Sequence, residues 1–182
     1  MEDEDMKIAQ ETIETGVMVL NEYIKDIFID RRIHIEKGIP EEKLDQFIAS
    51  KLAEFNRKTE AMTFGEIMSF MNETIDILKE NCTDLREMSR ERIGGRRRKL
   101  GPLEELEIKL RSISEVRKGL IDLEVDRALL DKAIYDRARQ CQEEIDNLTA
   151  DEFDRLIIMN VLEAQARHMK IEEEDKEEQH GE

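Results

Sequence analysis

Tryptophan is missing from this sequence, proline occurs twice, and aromatic residues make up only 4% of it. Runs rich in Val, Thr, Tyr and Phe are missing too, as are the Asn-Gly and Asp-Gly turns that join hairpins. Sheets need such runs on their half-buried faces, so these absences exclude a sandwich or a barrel. No apolar run reaches the roughly 18 residues that a membrane helix requires, and no membrane contact is expected. The opening residues MEDED are acidic where a secretory leader carries positive charge before an apolar run. A chain of this kind is expected in the cytoplasm, or in the nucleus of a eukaryote, and not among secreted proteins. Cys82 and Cys141 stand apart with no Cys-x-x-Cys pair, and each falls on the apolar stripe of a helical segment. They read as reduced core residues.

Signatures of catalysis are equally scarce. Gly94-Gly95 leads into arginines and lacks the Gly-Lys-Ser/Thr ending of a phosphate-cradling loop. No glycine elbow presents a serine or cysteine nucleophile. The only Glu-x-x-His pair with the spacing of inward-facing metal ligands in a helical bundle is Glu177 to His180, in an acidic terminal stretch that reads as solvated. Asp30 and His34, one helical turn apart, and Glu163 with Arg167 and His168 form polar groups that read first as helix-surface ion pairs and C-terminal dipole partners. The sequence therefore predicts no enzyme, no cofactor and no metal.

What is present is charge and helix formers. Of 182 residues, 41% are charged and 39% hydrophobic, with Leu, Ile, Met, Glu, Lys and Arg dominant. The expected fold is all-α: an elongated bundle of about five helices, with long antiparallel coiled-coil-like helices. One helical domain should occupy residues 1–170, with helices at about 5–37, 41–58, 64–93, 103–147 and 150–170, an exposed basic loop at 94–101 and a disordered acidic tail at 171–182. In the first helix Ile13, Val17, Leu20, Ile24 and Ile27 repeat at alternating intervals of four and three, and Tyr23 and Phe28 widen the stripe. Gly38 ends that helix and Pro40 opens the next.

Two capping boxes, Thr63 with Glu66 and Thr149 with Glu152, mark helix starts, since in each the two side chains can satisfy two orphan backbone N–H groups. Behind the first lies the most regular heptad seam of the chain: Phe64, Met68, Met71, Ile75, Leu78, Cys82 and Leu85. Methionines cluster there, and core packing explains them better than a repacking groove does. In 103–147 the seam slips near Arg117, Gly119 and Arg127, which makes a bend or break near Gly119 expected. At about 1.5 Å per residue an unbroken helix of that length would outreach a compact domain. Residues 156–162, LIIMNVL, are apolar almost all round, and burial on several sides is expected for them.

The net charge of −16 is concentrated at the ends, with four acids in residues 1–5 and seven acids against one lysine in residues 171–182. Between Arg86 and Lys99 the balance reverses, with seven basic residues against Glu87 and Glu91. Arg90, Arg92, Arg96, Arg97, Arg98 and Lys99 are candidate contacts for a phosphate backbone or for an acidic protein surface. No aromatic residue follows Phe70 until Tyr135, so platforms for stacking bases are missing beside them. The expected function is that of a non-enzymatic helical scaffold or adaptor, a homodimer or part of a hetero-complex, that packs helix on helix. The alternative is a nucleic-acid-associated accessory protein of replication, transcription or packaging type that uses residues 86–99.

Overall fold

The structure is a computed structural model and describes residues 2–63, 65–67, 69 and 101–163. Among the described residues it is mostly helical, with no strand, and no helix is long and apolar enough to cross a membrane. The helices are α1 (Glu2–Glu36), α2 (Glu41–Glu60), α3 (Pro102–Asp122), α4 (Arg127–Asp146) and α5 (150–163). A further helical turn opens at 65–67. The chain divides into two compact units, residues 1–142 and 143–182.

In the first unit α3 packs along both α1 and α2, which touch each other little. Leu106, Leu110, Ile113, Val116 and Leu120 give α3 its apolar spine, met by Leu20, Ile24 and Ile27 of α1, Leu44 and Phe55 of α2, and Leu130 and Cys141 of α4. Leu120 lies against Gly16 and Lys109 against Asp30, so α3 and α1 run in opposite directions. A Cβ on Gly16 would come within 2.9 Å of the buried Leu120 side chain, which makes this a point of close approach between the two helices.

The stripe on α1 does not end at Ile27. Arg31 and His34 continue it at the same intervals and are about as deeply buried as the leucine and isoleucines before them. Toward the other end Val17 and Met18 are exposed, so the apolar stripe and the buried stripe coincide only in part. Gly38, at φ +92°, closes α1: its N–H donates to the carbonyl of Ile35 and the N–H of Ile39 to that of His34, the paired bonds of a Schellman cap. Pro40 stands just before α2, as its N-cap residue, rather than inside the first turn.

The helix expected over 103–147 is two helices. The break falls at 123–126, beyond Gly119, which stays helical. Here the cap has the same pattern as at Gly38, with Glu124 N–H donating to Ile121 and Val125 N–H to Leu120, but the left-handed position is filled by Glu124 at φ 66°. Asp126 then caps α4 by accepting the N–H of Leu129 on Oδ1 at 2.8 Å. Glycine was the wrong marker because an aspartate N-cap can start a new helix wherever a residue before it tolerates a left-handed turn. With the break in place, the length argument for an overlong helix falls.

In the second unit α5 starts at the Thr149 box, where Glu152 accepts from the Thr149 N–H at 2.9 Å and Thr149 Oγ1 accepts from the Glu152 N–H at 3.3 Å. The Thr63 box has the same bonds, at 2.7 and 3.4 Å. Holding a non-glycine residue in the left-handed region is unfavourable by about 1 kcal/mol. Glu124→Gly should therefore raise stability by up to about that amount in urea denaturation, less what glycine's freedom in the unfolded chain takes back.

Candidate protein-interaction surface

The heptad seam of Phe64, Met68, Met71, Ile75, Leu78, Cys82 and Leu85 lies outside the described residues, and so do the candidate contacts Arg90, Arg92, Arg96, Arg97, Arg98 and Lys99. The same holds for Arg167, His168 and the Glu177 to His180 pair. Candidate sites within the described residues are of two kinds, the buried charges around α3 and the apolar side chains left open.

All seven residues from Ser112 to Lys118 are buried, and five of them are polar or charged, with Ile113 and Val116 the two apolar ones. A helix enclosed on every side must bring partners for its charges. Lys109 donates to Asp30 of α1 at 2.6 Å, with Glu105 at 3.3 Å. Arg117 makes a two-pronged contact with Asp131 of α4 at 2.5 and 2.9 Å, and Glu60 joins from α2 at 3.9 Å while also holding Arg127 at 2.9 Å. Glu115 pairs with Arg111 at 3.3 Å, Lys118 with Asp122, and Lys51 of α2 with Glu107 at 2.9 Å. Tyr23 hydrogen-bonds with Ser112, and burial raises its pKa.

Asp30 and His34 are thus not a surface pair. Asp30 turns to Lys109, and His34 is buried with Nδ1 lacking a hydrogen-bond partner among the described residues. Its neighbour in the stripe, Arg31, is 1% exposed and donates to Asp45 at 2.6 and 3.2 Å and to Glu41 at 2.5 Å, which ties the first turns of α2 to the end of α1. The signal for these groups was there, since Arg31 and His34 keep the spacing of the stripe. Reading polarity as exposure hid it.

Burial raises the Asp30 pKa although Lys109 works against the rise. For Lys109 burial disfavours the ammonium, but Asp30, Glu105 and Asp26 outweigh it and hold the pKa above the ordinary lysine value. The hydrogen bond from Arg117 keeps Asp131 below the usual carboxylate value. Acids and bases here are locked onto each other, both across helices and within α3, and no group of three metal-ligating side chains exists among the described residues. Their chemistry is that of helix registration.

The open apolar side chains are different. At about 3.6 residues per turn, Phe153, Leu156, Ile157 and Asn160 fall on one side of α5 and Ile158, Met159, Val161 and Leu162 on the other. The first side is covered, with Phe153 1% exposed. The second is open, at 59%, 53%, 36% and 52% exposure in chain order. Burial on several sides, expected for 156–162, is thus corrected to burial on one, because a single helix packed by one face leaves its opposite face to solvent. In the first unit Val17 and Met18 line a shallow groove of about 360 Å³ with Glu14, Asn21, Glu22, Lys25 and Arg137. Its rim is charged, and its two apolar residues form a smaller patch than the one on α5.

No family model, no curated protein and no solved structure matches the chain.

Lys109→Met should cost about 3 kcal/mol at neutral pH, because it leaves the Asp30 carboxylate buried without its cation. Asp30, already raised, then rises further, and a raised acid contributes stability below its unfolded pKa that is lost as pH climbs through the folded one. The variant should therefore regain stability on acidification from pH 7 toward about pH 4, read as the urea midpoint at each pH.

Proposed function

We propose that this protein is a non-enzymatic helical scaffold or adaptor that holds a protein partner by packing helix against helix, with the outward face of α5 as a contact. One observation carries the reading: α5 is apolar on both sides and only one side is covered. Soluble monomers rarely leave a contiguous apolar strip on a helix, and such strips mark association surfaces. The paired charges around α3 support the same reading, since they fix a rigid frame and are engaged with each other rather than held ready for catalysis. The long antiparallel coiled-coil-like character belongs to this proposal as well, with the seam from Phe64 to Leu85 as a second packing face.

Magnitudes set the strength of the contact. Covering what is still exposed of four half-open side chains is worth roughly 1 kcal/mol apiece. Association itself costs about 4 to 15 kcal/mol, so α5 alone gives a weak, reversible contact and a tight complex recruits further surface. Ile158→Glu with Leu162→Glu should leave helicity and the thermal midpoint of the dilute protein unchanged while abolishing its association. A lowered midpoint would show the strip to be core of the single chain and would remove the reading.

A second reading rests on the charge reversal of residues 86–99, in which the protein contacts nucleic-acid phosphates as an accessory factor. Binding to duplex or single-stranded oligonucleotides should then fall steeply with salt and vanish in Arg96→Ala, Arg97→Ala, Arg98→Ala. Salt-independent binding, or binding that survives the triple change, rules it out.

A further inference from the structure

We infer that the occupant of the outward α5 face is α5 of a second copy of this chain, laid antiparallel across a two-fold axis at residue 160. The inference deepens the scaffold reading and rests on it. The four open side chains are placed symmetrically, Ile158 and Met159 before residue 160 and Val161 and Leu162 after it. A two-fold at that point sets Ile158 opposite Leu162 of the second copy and Leu162 opposite its Ile158, so both apolar centres meet their complement in one register. Met159 then lines one flank and Val161 the other.

The charges beside the strip complete the match. Arg155 and Glu163 are exposed and lie on the same flank of α5 as Met159. In an antiparallel pair related by a two-fold, residues of one flank face the same flank of the other helix. Glu163 of the second copy then lies at the height of residue 157, about 3 Å along the axis from Arg155, within reach of an arginine side chain. Each dimer forms this pair twice. An unrelated partner would have to supply both the apolar spacing and the opposite charge, whereas a second copy carries both already.

Sedimentation equilibrium of the full chain tests this over a concentration series. The wild type should pass from monomer to dimer as its concentration rises toward about the millimolar range, in keeping with the weak contact that four half-open side chains give, and Ile158→Glu with Leu162→Glu should stay monomeric. Arg155→Glu alone and Glu163→Arg alone should each weaken the dimer roughly three- to tenfold through repulsion of like charges, and the two together should restore it. Restoration is a result that a merely structural role of α5 does not produce, and these surface changes stay informative if the double glutamate variant unfolds. A wild type that remains monomeric with an unchanged thermal midpoint overturns this inference and leaves the scaffold reading with another partner. A dimer indifferent to both sets of changes overturns it as well and locates self-association elsewhere.

Discussion

Enclosure of α3 is the constraint on which the first unit depends. A helix buried over seven successive residues cannot leave a cation or a carboxylate to water, because an unpaired charge in such a place is unfavourable by several kcal/mol. Two of the charged positions on α3 therefore dictate residues on neighbours, Asp30 for Lys109 and Asp131 and Glu60 for Arg117, while Glu115 and Lys118 find Arg111 and Asp122 within α3 itself. Apolar contacts along the spine supply most of the driving force and tolerate a helix sliding by a turn. The charges that pair across helices do not tolerate it, since a shift of one turn would part Lys109 from Asp30 and Arg117 from Asp131 at once. Hydrophobic burial thus assembles the helices, and the ion pairs select one alignment among those it allows.

Arg31 applies the same logic at the hairpin between α1 and α2. Its guanidinium is buried while Glu41 and Asp45 keep much of their surface in water, so the desolvation is borne on one side and the two carboxylates compensate it from the other. Both acids lie in the first turns of α2, where the N-terminal end of the helix also favours negative charge. The Schellman cap at Gly38 brings the chain round at the point where this pairing becomes possible.

Legibility in the sequence followed how local each signal was. Helix class, the α1 stripe from Leu20 to Ile27 and both threonine–glutamate boxes could be read because a few neighbouring residues determine them. The break expected near Gly119 falls about one turn later, at 123–126, since its left-handed residue is Glu124 and not the nearby glycine, and its one local mark, Asp126 before Leu129, is a single residue deep. Arg31 and His34 were left out of the core for their polarity, and the partners that let Arg31 be buried stand ten or more positions away, where no local pattern reveals them. For α5 the apolar circumference was plain, but which half a neighbour covers is a property of packing. The basic segment and the Phe64 to Leu85 seam lie outside the described residues.

The outward strip on α5 belongs to a chain of net charge −16, and that combination gives ionic strength an unusual sign. Two such copies repel one another over distances of about 10 Å and more, a repulsion that added salt screens, while the apolar contact between them is untouched or strengthened by it. For the apolar strip itself rising salt thus removes an obstacle, the reverse of its effect on a phosphate contact through arginines, while it also screens charge pairs at the rim such as Arg155 with Glu163. In a crowded ionic solution the protein's own charge, which at low salt keeps the copies apart, recedes and lets the strip decide whether they meet.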